Sequence, residues 1–171
     1  MINRDFFINM LRFIAVVLAQ VFVFNKINLG GTANPMIYPL FIIFLPFETN
    51  KNLSLILAFM LGLSVDLFTG SVGLHTSASV FTAFIRPLAY RIISSNRVYE
   101  SGIKPGINDL GIRWFVSYTF FLVFAHHFFF FFIEAFSFNE FWHTLGKIFI
   151  STLLSSLLII VLSFIFKPNK K

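Results

Sequence analysis

The chain has 171 residues, of which 57% are hydrophobic and 12% charged, and its mean hydropathy is +0.85. Soluble domains carry about 25% charged residues, so this composition excludes an ordinary soluble domain and describes a polytopic membrane protein. A formal net charge of +6 would fit a nucleic-acid binder, but the cations sit between apolar segments; the absence of cysteine excludes a disulfide framework, a thiolate zinc site and a cysteine nucleophile.

Residues 1–5 are polar, and an apolar run over 6–24 follows, interrupted by Asn9, Arg12 and Gln20. A span needs about 20 residues at 1.5 Å rise, so this run suffices. No small-x-small site follows it, which predicts a retained helix rather than a cleaved signal peptide. Arg12 lies within two turns of the start and reaches back to the headgroups by snorkelling. Residues 25–34, with Lys26 and Gly30-Gly31, read as a short loop. The run 36–47 is apolar but short and contains Pro39 and Pro46; it is either a short distorted span or a re-entrant segment covered by protein. Residues 48–52 form a polar turn.

The next span, 53–68, ends in the stretch GLSVDLFTGSVGLH, residues 62–75, which holds one carboxylate, three glycines and one histidine. Residues 69–73 are a glycine-rich turn, and 74–91 is a helix rich in small residues, Ser77, Ala78, Ser79 and Ala83. Small residues let helices approach closely in lipid, so 53–68 and 74–91 form a packed hairpin that Gly62 helps to close. Residues 94–113 are the longest polar stretch, with Arg97, Glu100, Lys104 and Asp109. A long span over 114–134 contains the five-phenylalanine run 128–132, read as lipid-facing bulk. A short loop, 137–143, carries Trp142 at an interface position. The last span is 145–166, followed by the basic tail Lys167, Lys170 and Lys171.

The pattern therefore predicts an all-α, polytopic helix bundle of about six transmembrane helices forming one membrane domain. With both termini cytoplasmic, eleven of the thirteen Lys and Arg residues fall on the inner side and only Lys26 and Lys147 outside. The turn at 69–73 then faces outward.

A carboxylate in an apolar segment costs roughly 2.5–3.5 kcal/mol at mid-bilayer, so Asp66 needs compensation. Two readings stand open: a buried group that fixes the hairpin or meets a partner's polar group, or a carboxylate at the helix end that caps the next turn and bonds the hydroxyls of Thr69 and Ser71. A proton relay with His75, nine residues on, is a third. His126 and His127 are adjacent, so on a helix they point about 100° apart and do not chelate one metal; they read as interfacial or interhelical hydrogen-bonding groups, with Glu134 near the same end. Arg86, Arg91 and Arg97 read as topology-setting cations in contact with anionic lipid, about 1 kcal/mol per charge. The sequence carries no HExxH, P-loop, strand-linked GxGxxG or intramembrane-protease motif. It predicts no catalytic residue, metal or cofactor, and a non-enzymatic protein.

The stretch GLSVDLFTGSVGLHTSASVFTAFIRP resembles the signature of the rod shape-determining protein MreD family. There a G-x-x-x-D-x-x-x-G-x-x-G-L-H-type turn links two middle helices, and Gly62, Asp66, Gly70, Gly73, Leu74 and His75 stand in those places. Length, six-span hydropathy and the short proline-broken second span fit as well; the likeness is sharp over 62–87. The resemblance implies a component of the bacterial inner-membrane cell-elongation machinery that binds the bitopic protein MreC. Through MreC it is linked to the actin-like MreB, the glycosyltransferase RodA and a transpeptidase, which together direct lateral peptidoglycan synthesis. On this reading the small-residue hairpin docks partner helices, Asp66 and His75 add polar specificity, and Arg86 joins them as a partner-facing or structural candidate. The family is similar in fold to substrate-binding subunits of energy-coupling-factor vitamin transporters. Such a subunit is the alternative, and it would place a pocket near residues 70–75.

Overall fold

The computed structural model describes residues 4–27, 29–94, 103–136 and 140–165. Every regular element among them is helical: α1 (Arg4–Phe22), a 3-10 turn (Phe24–Lys26), α2 (Leu40–Ile43), α3 (Lys51–Thr69), α4 (Leu74–Ile93), α5 (Ile107–Leu110), α6 (Ile112–Ala135) and α7 (Phe141–Ile165). Four stretches, Phe7–Lys26, Lys51–Thr69, Ile112–Ala135 and Phe141–Phe164, are long and apolar enough to cross a membrane. The chain is thus an all-α membrane protein. α4 has the length, 20 residues, but not the apolarity, because Thr76, Ser77, Ser79 and Thr82 fill its first half and Arg86 and Arg91 its second.

The small residues explain the packing. α3 lies against α4, α4 against α6 and α6 against α7, whereas α1 leans more lightly on α3. A Cβ placed on Gly62 would lie 2.4 Å from Thr76 Cα and 2.5 Å from His75 O, so the α3 and α4 backbones touch where only glycine fits. α3 starts two residues before the expected span because the Asn50 side chain accepts from Asn52 N at 2.9 Å, an N-cap within the stretch read as a polar turn. It ends on Gly70 at φ +71°, and Gly73 at φ +79° precedes α4; both conformations favour glycine. Residues 103–113 are less of a loop than their polarity implied: Lys104 N donates to Asp109 Oδ2 at 3.0 Å, α5 forms, and α6 begins at Ile112. α7 begins at Phe141, inside the stretch read as a loop, with Trp142 82% exposed. Arg97, Glu100 and the basic tail Lys167, Lys170 and Lys171 lie outside the described residues.

Residues 36–47 contain only the one helical turn of α2, yet nearly all are buried. Their contacts run antiparallel to α1: Ile37 N meets Gln20, Phe41 packs on Phe13 at 5.2 Å, and Phe44 lies under Arg12. Along α6 the order is the same, from Tyr38 beside His126 to Phe44 beside Phe115 and Phe47 beside Trp114. The segment therefore passes lengthwise through the bundle and does not double back.

An irregular backbone buried in an apolar bundle must find its hydrogen bonds inside the protein. Gln20, fully buried, accepts from Ile37 N at 2.7 Å and donates to Pro35 O at 3.1 Å. On the other side, Ser151 Oγ accepts from Asn34 N at 3.0 Å and Ser155 Oγ from Met36 N at 2.9 Å. At the far end Arg86 donates to Leu45 O and Pro46 O. Polar side chains of three helices thus supply what a helix would have supplied itself.

One expectation about individual side chains is corrected here. The run 128–132 is not lipid-facing bulk throughout: Phe130 and Phe131 are buried while Phe128 is exposed, since 100° per residue carries five consecutive side chains around the helix. The half-buried Arg12 donates to Asn9 Oδ1, one turn toward the chain start, at 3.1 Å and covers the Phe44 ring at 5.0 Å.

Candidate functional site

The motif residues gather at one end of the bundle, where α3 turns into α4. Gly73 occupies the N-cap position of α4 and has no side chain to satisfy the first N–H groups of the helix. Asp66 reaches across from α3 and does so instead. Its Oδ1 accepts from Ser71 Oγ at 2.7 Å and His75 N at 3.0 Å; its Oδ2 accepts from Thr76 N at 2.9 Å and Thr76 Oγ1 at 2.5 Å. A carboxylate offers about four lone-pair positions, and all four are used. The negative group also sits at the positive end of the α4 dipole, where charge and cap together contribute about 1–2 kcal/mol. Two of the readings left open meet here: Asp66 is buried and fixes the hairpin, and it does so by capping α4. Thr69 does not bond the carboxylate as expected; its hydroxyl pairs with Val65 O and Ser71 Oγ.

His75 does not turn its ring toward Asp66, so the two-residue relay is absent: only the His75 backbone meets the carboxylate. The ring faces inward, where Nδ1 lies 2.9 Å from the hydroxyl of Tyr38, and the same hydroxyl lies 2.7 Å from His126 Nε2. His126 and His127 are fully buried and therefore not interfacial. They point to different neighbours, as the 100° offset requires. His127 Nδ1 donates to Val123 O at 2.8 Å, which fixes its tautomer and leaves Nε2 to accept from Ser155 Oγ at 3.3 Å. Tyr38 and Ser155 were not singled out in the sequence. The signal for Ser155 is the cluster Ser151, Thr152, Ser155 and Ser156 in an otherwise apolar helix; for Tyr38, a hydroxyl between two prolines in an apolar run, there is little.

Arg86 lies at the opposite end, 3% exposed, and is not a lipid-facing cation. Its Nε donates to Tyr118 Oη at 2.9 Å, Nη2 reaches Leu45 O and Pro46 O, and the guanidinium covers the Phe47 ring at 5.7 Å. The planar fork binds three elements at once, the end of the 36–47 segment, α4 and α6. Arg91, a turn further on, is exposed as expected. Among the described residues no group of three or more His, Cys, Asp or Glu side chains is placed to hold a metal.

At the Asp66 end, between the ends of α1 and α3, a cavity of about 590 Å³ opens. Val21, Met36, Leu74 and Phe130 form its apolar part, Asn25, Lys26 and Glu134 lie at its polar part, and the His75 ring borders it. Glu134 is already paired with Lys147 Nζ at 2.9 Å.

Compared with known protein families, curated proteins and solved structures, the chain matches none.

Proposed function

We propose that this chain is a non-enzymatic scaffold of the bacterial cell-elongation machinery, of the kind its motif resembles. It would sit in the inner membrane, hold an MreC-like bitopic partner, and act through it with MreB, RodA and a transpeptidase on lateral peptidoglycan synthesis. α1, residues 36–47, α3, α4, α6 and α7 make six passes in this reading, with both chain ends at the cytoplasmic, Arg86 side. The positive-inside rule supports that direction: Lys51, Arg91 and Arg113 fall toward the Arg86 end, and Lys26 and Lys147 toward the Asp66 end.

The observation that carries the reading is what residues 62–76 do. Gly62 admits the α4 backbone, and Asp66 spends its acceptor capacity on the bend at Ser71 and on the start of α4. The most chemically distinctive residues of the chain thus build a rigid hairpin, which suits a docking element better than a reacting group. The exposed apolar side chains of the helices, among them Phe59 and Met60 on α3 and Phe84 and Leu88 on α4, give it a face for lipid or partner helices. The test is purification of the tagged full chain from bacterial membranes together with an MreC-like partner. Co-elution is expected; elution of the chain alone from cells that contain the partner overturns the proposal. Reporter fusions at the two ends check the six passes: both ends are expected in the cytoplasm.

One observation favours a second reading, a substrate-binding subunit of a vitamin transporter. The cavity lies beside residues 70–75, and its volume falls in the range of about 300–1,000 Å³ typical of small-molecule sites. A vitamin retained through purification would decide for it.

A further inference from the structure

The cavity at the Asp66 end carries chemistry that neither the hairpin nor partner docking uses. Tyr38 has one hydroxyl proton and two histidine neighbours, His75 Nδ1 and His126 Nε2. For neutral imidazoles the hydroxyl donates to one ring and accepts from the other, so the two tautomers are coupled. The far nitrogen of His126, Nδ1, is buried and has no partner among the described residues. If Tyr38 donated to His126, that orphan would be an N–H; if Tyr38 donates to His75, it is a bare lone pair. Buried N–H groups without a partner are rarer than under-used acceptors. The second arrangement therefore holds: His126 Nε2–H donates to Tyr38, Tyr38 donates to His75 Nδ1, and His75 Nε2 carries the proton at the cavity. His75 is 94% buried and its ring has no other hydrogen bond among the described residues, which leaves this N–H for a ligand.

The remaining polar groups of the lining are Asn25, Asn34, Lys26, the Thr69 and Ser71 hydroxyls and the Glu134 carboxylate. Asn25 gives its Oδ1 to Gln20 Nε2 at 2.7 Å, which leaves its amide N–H groups to donate. Ser71 and Thr69 spend their hydroxyl protons within the hairpin. The Glu134 charge is met by Lys147, and Lys26 at the rim adds one positive charge. Beside these donors lie Leu74 and Phe130, and Phe22 and Phe68, 62% and 61% exposed with ring centroids 6.3 Å apart, line the cavity from α1 and α3.

We infer that the cavity binds a phosphate-bearing amphiphile with a net negative head, the phosphate oxygens taking the N–H of His75 and the charge of Lys26 while its apolar part lies along Leu74 and Phe130. This goes beyond the scaffold reading, which needs no ligand, and stands or falls apart from it, because partner co-elution is read separately.

The test is a calorimetric titration of the full chain in detergent micelles with dihexanoyl phosphatidylglycerol. Dihexanoyl phosphatidylcholine and inorganic phosphate form parallel arms. Saturable binding is expected for phosphatidylglycerol, weaker binding for the zwitterion, and none for phosphate alone. His75→Asn keeps a group at the Nδ1 position for Tyr38 but removes the cavity donor, and is expected to weaken binding about tenfold, the size of one hydrogen bond to a charged group. Lys26→Gln, at an exposed position that leaves the fold untouched, is expected to lower affinity several-fold and gives the answer should His75→Asn not fold. No saturation with phosphatidylglycerol, equal affinity for phosphatidylcholine, equal affinity for free phosphate, or unchanged binding in Lys26→Gln each overturns the inference. Imidazole ¹⁵N spectra check the tautomer: a proton on His75 Nε2 is expected, and one on Nδ1 with Nε2 bare refutes the donor assignment.

Discussion

Gly62→Ala is the sharpest perturbation of the hairpin. The added Cβ would lie 2.4 Å from Thr76 Cα, 2.5 Å from His75 O and 2.6 Å from Thr76 N, all backbone atoms that no rotamer change can move aside. Ordinary contact begins at 3.4 Å, so α4 must retreat by about an ångström. That displacement acts on the same two residues that bond Asp66. Bonds of 3.0 Å from His75 N and 2.9 Å from Thr76 N would stretch beyond hydrogen-bonding range. Overpacking costs about 1–3 kcal/mol, and each hydrogen bond to a charged group contributes about 1.5–3 kcal/mol, part of which the carboxylate recovers by following α4. The expected loss is about 3–5 kcal/mol, measured by reversible unfolding in mixed micelles. The control is Gly146→Ala on α7, where nothing lies within 4 Å of the new methyl. It should gain about 0.5–1 kcal/mol, the helix propensity difference between alanine and glycine. A Gly62→Ala protein as stable as the wild type would refute the close-contact account.

Asp66→Asn keeps the shape of the side chain but turns one acceptor into a donor facing the N–H and hydroxyl groups at the start of α4; a loss of about 2–3 kcal/mol is expected in the same unfolding assay. Arg86→Lys retains the charge and loses the fork that reaches Tyr118, Leu45 and Pro46 together, so it should cost about 2 kcal/mol and increase hydrogen exchange at the end of the 36–47 segment. Gln20→Leu leaves Ile37 N–H and Pro35 C=O buried without their partner and is expected to cost about 2–4 kcal/mol, although hydropathy alone would score the change as an improvement.

The hydropathy pattern placed α1, α3, α6 and α7 to within a few residues, because a span in lipid needs a long apolar run and little else does. It also found the turn between α3 and α4, since Gly70 and Gly73 adopt left-handed conformations that other residues resist. Capping by Asp66 was among the readings its position allowed. The course of residues 36–47 was not legible: its backbone is held by Gln20, Ser151, Ser155 and Arg86, residues up to 119 positions away in sequence. Nor was the meeting of His75 and His126 about Tyr38.

Local sequence determined the medium, the helices and the glycine bend, because burial in lipid and backbone sterics act on each segment separately. The tertiary structure alone decided which polar groups face one another. Arg86, read as a topology-setting cation and as a partner-facing or structural candidate, is an internal clamp; His75, for which a relay with Asp66 was one option of three, faces Tyr38 beside a cavity. In an apolar interior a polar side chain goes to whichever partner satisfies it, and that partner is brought by the packing of other helices.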